Sequence, residues 1–166
     1  LAFRGIGYVK GKPAKLVGVL QNTNRWRHWI KNLQSGRLLE KKTDFHKVFY
    51  QSFGSPFPVR DRDLVYESKI VRDKKTGSIL VQMASVSHPK APKSVGIRVN
   101  LLYSFYKIEP RTGNQMKVTF ETMSDPGGKI PGFMVNWATR SYPITLFEGL
   151  RQEIRRADQK EALLPR

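Results

Sequence analysis

The side chains able to act as acids, bases or nucleophiles are few in this sequence of 166 residues, and they lie far apart. Only three histidines occur, His28, His46 and His88, and there is no cysteine. Acid–base catalysis requires a positioned titratable group, and no histidine has an apparent carboxylate partner along the sequence. The lack of cysteine excludes disulfides, thiolate metal sites and a cysteine nucleophile. We therefore predict no catalytic residue, no metal site and no cofactor.

The charge is strongly positive and unevenly distributed. Thirty Lys and Arg residues against thirteen Asp and Glu give a net charge of +17. The segment 10–47 holds ten basic and two acidic residues, a net +8. Such a field favours an anionic partner, either nucleic acid or a negatively charged membrane surface. It equally fits a basic surface that only keeps the protein soluble.

The elements that must position any site follow from hydrophobic periodicity. A strand is predicted over residues 1–9, followed by two short helices over 12–20 and 25–30. From Gly36 onward the apolar period changes to two, which predicts strands separated by turn residues. A long amphipathic helix is predicted from Gly132 to about Lys160, with Pro143 expected to kink it. Consecutive strands joined by short turns predict an antiparallel meander. Its six strands are predicted at residues 37–42, 45–53, 64–71, 79–86, 95–108 and 115–123.

Alternation along these strands predicts which side chains face the interior. In the second strand of the meander, Lys47 and Gln51 share one face, so Val48, Tyr50 and Ser52 are expected to face inward, with His46 in the same phase. Hydroxyl groups recur among the inward residues. Because a buried hydroxyl without a partner is costly, this lining suits either an ordinary core with satisfied hydroxyls or a cavity for a largely apolar ligand. Periodicity alone favours the ordinary core.

Four motifs occur in order along most of the chain. The segment "SPFPVRDRDLVY" at 55–66 is followed by "VGIRV" at 95–99, "YKIEP" at 106–110 and "SDPGGKIPGFMVN" at 124–136. Together they resemble the START domain family, lipid-transfer modules related to steroidogenic acute regulatory protein.

The resemblance implies an α+β helix-grip fold, in which a curved antiparallel sheet wraps a long C-terminal helix around a central hydrophobic cavity. We expect one START-like lipid-binding domain over residues 1–166, without the family's N-terminal helix and first strands. Phe57 and Pro58 are expected to shape a gate loop at the cavity mouth, while Arg62 and Asp63 have a structural role. The predicted cavity lining is Val48, Tyr50, Ser52, Leu64, Tyr66, Ser68, Met83, Asn100, Leu102, Val118, Phe120, Thr122, Phe133, Met134, Trp137 and Ser141.

The function implied is binding of a hydrophobic ligand, which the protein carries or senses at membranes. Sterol, fatty acid, phospholipid and isoprenoid-like ligands all fit, with transient contact to an anionic membrane surface. The loops around Phe57 and Val86–Val95 and the start of the last helix are expected to open for the ligand. One alternative is a polyketide aromatase/cyclase of the same fold, which would need a catalytic group such as His46.

A second alternative is a basic nucleic-acid-binding module. We expect no nucleic acid partner, because the strands turn their aromatic residues inward instead of displaying them beside basic residues. No apolar stretch approaches the length of a membrane span. A soluble protein is expected and a cytoplasmic location is favoured, although the chain begins at Leu1 rather than Met and the compartment stays open.

Overall fold

The computed structural model describes residues 1–166 and contains eight strands and a C-terminal helical region. The strands are β1 (Ala2–Lys10), β2 (Leu33–Thr43), β3 (His46–Phe53), β4 (Arg62–Arg72), β5 (Ile79–Ser85), β6 (Ile97–Arg98), β7 (Asn100–Arg111) and β8 (Gln115–Asp125). The helices are α1 (Pro13–Gln21), α2 (Trp26–Trp29), α3 (Gly132–Asn136) and α4 (Tyr142–Ile154), with a π-helical turn at Trp137–Ser141 between the last two.

The sheet is one curved antiparallel layer with the order β1-β8-β7-β5-β4-β3-β2. The two-residue strand β6 lies off this path and pairs in parallel with the start of β4. Consecutive strands from β2 to β8 are joined mostly by short turns, as the period-two pattern predicts. The helix-grip architecture predicted from the sequence is confirmed, with the C-terminal helical region packed on the concave face of the sheet.

The C-terminal helical region is continuous from Gly132 to Ile154 but changes its hydrogen-bond period in the middle. The amide of Tyr142 donates to the carbonyl of Trp137, five residues earlier, instead of four. Pro143 has no amide hydrogen and so cannot continue the α-helical ladder back to Thr139. A π-type turn just before a proline is one of the identifiable causes of helix distortion.

The helix ends at Ile154 rather than near Lys160 as predicted, because the chain turns there and packs on α1. The amide of Ala162 donates to the carbonyl of Ala14 at 2.9 Å, and the side chains of Asn22 and Gln159 are hydrogen-bonded at 3.2 Å. These contacts are long-range, so local helical periodicity gives no sign of them.

Glycines let the last helix approach the sheet. A Cβ atom on Gly7 of β1 would lie 2.7 Å from the ring of Phe147 in α4, closer than van der Waals contact allows. On the other side of α4, a Cβ on Gly149 would lie 2.9 Å from the Cβ of Trp29. The Arg25 guanidinium donates two hydrogen bonds, at 2.7 and 3.0 Å, to the carboxylate of Glu153, and this ion pair also holds α4 against α2.

The hydrophobic core fills the end of the sheet that lies away from the loops 54–61 and 125–131. Leu16 and Val17 of α1, Leu150 of α4, and Ile108 and Met116 of the sheet are essentially inaccessible there. None of the helices combines the length and apolar composition that a membrane crossing requires.

Candidate functional site

A cavity of about 320 Å³ lies between the concave face of the sheet, α2 and the C-terminal helical region. Its volume is at the lower end of the range typical of small-molecule pockets. The lining comprises 31 residues, of which 20 are hydrophobic. The cavity is therefore mainly apolar, and its few polar groups can be examined one by one.

A row of small polar side chains crosses the floor of this cavity. Cross-strand pairing places Ser68 of β4 opposite Met83 of β5, Met83 opposite Ser104 of β7, and Ser104 opposite Thr122 of β8. Because directly opposite residues share a face of the sheet, these four side chains form one line across the concave side. Of the three hydroxyls, that of Ser104 donates to the carbonyl of Glu121 at 3.1 Å.

Aromatic rings form the walls around this row. Tyr106 packs on Phe120 with 4.7 Å between ring centroids, and Phe49 packs on Tyr66 at 5.7 Å. Tyr142 of α4 closes the cavity from the helical side and lies 5.8 Å from the ring of Phe3. Burial raises the pKa of Tyr142 to about 12. Burial also raises the pKa of Tyr66 and of Tyr106, with a smaller contribution from neighbouring tyrosines, so all three hydroxyls are protonated at neutral pH.

Charged groups are scarce at the cavity. The lining contains no His, Asp or Glu, and its only charged residues are Lys31 and Arg62. Lys31 is exposed, with its ammonium 5.9 Å from the centre of the Trp137 ring. The guanidinium of Arg62 donates to the carbonyls of Arg60, Pro126 and Gly127 at 2.8–3.2 Å. Arg62 therefore ties the start of β4 to the segment that leads into α3.

The neighbouring Asp63 holds a second loop to β4, on the outer side of the sheet. Its fully buried carboxylate accepts hydrogen bonds from Arg98 at 2.6 Å, the amide of Val95 at 3.0 Å, and the hydroxyls of Ser94 and Tyr50. Burial alone would raise the pKa of Asp63, but these donors, with Arg98 first, outweigh burial and hold the pKa below its usual value. The Arg62–Asp63 pair thus fastens the loops 94–98 and 125–127 to β4.

Half of the residues predicted to line the cavity lie there in the structure. Their side chains come from three strands and from the C-terminal helical region. They are Leu64, Tyr66, Ser68, Met83, Phe120, Thr122, Met134 and Trp137.

The predicted inward face of β3 was wrong, because the alternation of inward and outward residues is shifted by one residue. Phe49, Gln51 and Phe53 line the cavity, whereas Val48 and Tyr50 face the outer side. Val48, Tyr50, Leu39 and Val65 form a small second core there, covered by Val86 and Ala91. Ser52, in the same phase, pairs with the hydroxyl of Ser35 at 3.1 Å. The strand is buried on both faces, so its polar residues do not mark a solvent face. Lys47 points inward and donates to Gln21 at 2.8 Å.

Other predicted lining residues are displaced by local irregularities. The register of β7 shifts between Leu101 and Tyr103, so Leu101 faces the cavity while Asn100 and Leu102 are exposed. The π-type turn inserts one residue and brings Tyr142 rather than Ser141 to the cavity. Phe133 is exposed beside Met134, and Val118 lies in the filled part of the core with no exposed surface.

Of the two loops predicted to gate the cavity, one lies at the cavity and the other lies on the outer face of the sheet. Gly54 and Ser55, from the loop that carries Phe57 and Pro58, line the cavity. Phe57 itself is 98% exposed and points away from the cavity, as does Pro58. The loop after β5 is placed differently from our expectation, because Val86 and Ala91 cover the outer face of the sheet.

The histidines also lie away from the cavity. His46 is 2.7 Å from a carboxylate oxygen of Glu67, and His88 is 2.8 Å from one of Glu40. Carboxylate partners for two histidines therefore exist, contrary to the sequence analysis, because strand pairing and a loop bring them together. His28 is exposed on α2.

Several lining residues were not predicted. Trp26 and Trp29 of α2 contact the cavity. Ser104 and Tyr106 alternate with the exposed Lys107 in the period-two pattern of β7, so a signal for these two residues was available in the sequence. Phe3 and Tyr142 carry no such signal, because their positions depend on the pairing of β1 with β8 and on the π-type turn.

Comparison with known proteins places this architecture in a family. A family model of the START domain matches residues 1–160. The chain is 30% identical over 145 residues to the phosphatidylcholine transfer protein of Mus musculus, covering 84% of this chain and 66% of that protein. It is 25% identical over 151 residues to an uncharacterized protein of Pseudomonas aeruginosa, covering 90% of this chain and 73% of that protein.

Solved structures agree with this result. A STAR-related lipid transfer protein fragment from Xanthomonas axonopodis superposes with a TM-score of 0.79 and 25% identity, over 93% of this chain and 86% of that one. The chain thus spans only about two thirds of the mouse relative but most of this bacterial structure. With the family model matching nearly the whole chain and the same sheet-and-helix arrangement in the bacterial structure, this chain belongs to the START domain family.

Proposed function

We propose that residues 1–166 act as one lipid-binding domain that encloses a hydrophobic ligand in the cavity and carries or senses it at membranes. The observation that carries the proposal is the apolar cavity bounded by Tyr66, Met83, Phe120 and Trp137. The names of two relatives, phosphatidylcholine transfer protein and STAR-related lipid transfer protein, support the same function.

The driving force for binding would be the removal of apolar ligand surface from water. This contributes about 25 cal/mol for each Å² buried, so an acyl chain or a sterol ring system gains several kcal/mol before the costs of ordering. The aromatic walls supply rigid contact area that need not reorganise around the ligand. The absence of His, Asp and Glu from the lining favours binding without chemical change of the ligand.

Membrane contact would use the end of the molecule where the cavity opens. Three loops meet there: Arg60 donates to the carbonyl of Gly96 at 2.8 Å, and Arg62 bonds the carbonyls of Pro126 and Gly127. Exposed apolar side chains extend from these loops or follow them, namely Phe57, Val95 and Phe133. Exposed basic residues occur close to them in the sequence, namely Arg60, Lys93 and Lys129, and Lys31 lies at the cavity rim beside Trp137. We name this set of seven residues the mouth surface.

The mouth surface combines the two features that bind proteins to bilayers reversibly. Apolar side chains insert among the lipids, and each Lys or Arg near an anionic surface contributes about 1 kcal/mol. The charge contribution is screened by salt. Docking would place the cavity opening against the bilayer, so that the ligand need not cross water.

Liposome extraction tests the proposal. The chain is incubated with vesicles of mixed phospholipid, fatty acid and sterol, separated by centrifugation, and its lipid content is measured. We expect lipid in the protein fraction, with uptake that increases with the anionic lipid content of the vesicles and decreases as salt is raised. A protein fraction free of lipid under all these conditions would contradict the proposal.

A paired variant tests the docking step separately. Replacing Phe57 and Phe133 together by serine should reduce uptake several-fold, because the inserted side chains are lost while the cavity is intact. The matched control is Leu163→Ser. Leu163 is comparably exposed, but it follows Ala162, which is bonded to α1 at the opposite end of the sheet. Equal uptake by the wild type and the double variant would remove the mouth surface from the mechanism.

A further inference from the structure

Apart from Lys31 and Arg62, the polar side chains that line the cavity are uncharged, and most of them have no hydrogen-bond partner within the protein. The hydroxyls of Tyr66, Tyr106 and Tyr142 make no hydrogen bond to another protein group, yet they are not sealed in the packing. The only fully enclosed side-chain polar atom without a partner is the indole nitrogen of Trp29, which belongs to another lining residue. The three tyrosine hydroxyls therefore keep surface that faces the cavity.

These hydroxyls are brought together by strand register. Tyr66 is the inward-facing residue just before Ser68 in β4, on the side of the loop 54–61. Tyr106 is the inward-facing residue just after Ser104 in β7, on the side of the filled core. The two tyrosines thus flank the polar row on the cavity floor from opposite sides. Tyr142 reaches the same space from the helical side. Tyr142 adds to the raised pKa of both Tyr66 and Tyr106, and Tyr66 adds to that of Tyr106, which agrees with this proximity.

A buried donor that is left unpaired costs free energy, about 1–3 kcal/mol in protein mutational data. A set of such donors is tolerated where a ligand supplies the acceptors. A charged ligand group held at the tyrosines would find no counter-ion beside it, because Arg62 lies four residues before Tyr66 in β4 and already donates to three carbonyls, and Lys31 is at the exposed rim. Burying an unpaired phosphate or carboxylate would be far more costly than burying a hydroxyl or an ester.

We propose that the cavity selects lipids whose polar group is uncharged and accepts hydrogen bonds, such as an alcohol, ketone or ester, and that the hydroxyls of Tyr66, Tyr106 and Tyr142 bind this group inside the protein. The ligand then enters with its polar group first and places its apolar part against the aromatic walls. This inference rests on the proposed lipid-binding function and narrows it to neutral lipids.

The test uses three ligands with the same twelve-carbon chain and different polar groups: dodecanol, dodecanoate and dodecylphosphocholine. Each is titrated, below its micelle concentration and at pH 8, against Nile red bound to the protein, and displacement is followed by fluorescence. Dodecanol should displace the dye at a concentration at least about ten-fold lower than either charged ligand, as expected from the burial cost of a charge.

Phenylalanine variants assign the effect to the hydroxyls. Tyr66→Phe and Tyr106→Phe should each weaken dodecanol binding about 2–10-fold, which is the worth of one hydrogen bond. Both variants should leave Nile red binding and the urea midpoint of unfolding unchanged, since no hydrogen bond within the protein is lost. Tyr8→Phe is the matched control, because Tyr8 is an exposed tyrosine on the outer face of β1.

The outcomes separate this inference from the proposed function. If dodecanoate or dodecylphosphocholine displaces Nile red as well as dodecanol does, the neutral-lipid inference alone is overturned. The same holds if Nile red binds but none of the three ligands displaces it. Dodecanol affinity that is unchanged in both phenylalanine variants overturns the role of the tyrosines. If neither Nile red nor any of the ligands binds, the lipid-binding function itself fails.

Discussion

At the scale of single residues, the motif that first suggested the family has a structural explanation. Arg62 and Asp63 are adjacent in β4 and point to opposite faces, so each fastens a different loop. Arg62 holds the segment before α3, and Asp63 holds the loop that contains Val95 and Arg98. Both residues were predicted to have a structural role, but their partners could not be identified from the sequence, because most of them are 30 or more residues away.

Asp63 should make the stability of the protein depend on acid pH. Its pKa in the folded state lies below the ordinary value of about 4. The carboxylate therefore contributes stability above that value, and this contribution is lost as the pH falls through the lower, folded-state pKa. Asp63→Asn should cost about 2–3 kcal/mol at neutral pH, and the difference from the wild type should shrink toward pH 2.

Urea unfolding of both proteins at pH 7 and pH 2 measures this difference. Because every other carboxylate is shared by the two proteins, their effects cancel in the comparison. A gap between wild type and Asp63→Asn that is the same at both pH values would show that Asp63 is not the group responsible.

At the scale of elements, the cavity exists because the last helix lies close to one end of the sheet and away from the other. Close approach is possible where Gly7 faces Phe147. Nearer the loops, Phe3 and Tyr142 stand between the sheet and the helix instead. The filled core and the cavity are therefore two ends of one interface between sheet and helix.

Gly7→Ala should reveal the close contact. The added methyl group would lie 2.7 Å from a buried aromatic ring, and such overpacking typically costs about 1–3 kcal/mol. The control is Gly132→Ala, which has no atom within 4 Å of the added Cβ and lies at the start of a helix, where alanine is favourable. A urea midpoint for Gly7→Ala equal to that of the wild type would contradict the packing described.

Element order and strand identity could be predicted from the sequence because periodicity and turn residues are local signals. Register and phase could not be predicted everywhere. The inward face of β4 follows from alternation, since Glu67 and Lys69 lie on the other side. The same reasoning fails for β3, where an outer loop buries Val48 and Tyr50. It also fails at the bulge of β7 and the π-type turn before Pro143, where one extra residue changes the phase.

At the scale of the whole molecule, charge and cavity have separate tasks. The net charge of +17 would bring the protein to an anionic surface, while the only charged side chains of the cavity are Lys31 at its rim and the carbonyl-bonded Arg62. Binding inside and attraction outside should therefore respond differently to salt. Raising the ionic strength should weaken vesicle association but leave the affinity for a water-soluble neutral ligand such as dodecanol unchanged within about two-fold, because buried neutral contacts are not screened. Isothermal titration at low and high salt measures the second quantity.

The most direct test of the lipid-binding cavity is native mass spectrometry after exposure of the protein to a mixed lipid extract. The comparison uses Met83→Trp, which places a large ring into the cavity, and Gln82→Trp, which adds the same ring on the exposed outer face of β5. We predict about one lipid per chain in the wild type and in Gln82→Trp, and none in a folded Met83→Trp. A wild type that carries no lipid, or a Met83→Trp variant that carries as much as the wild type, would contradict the account.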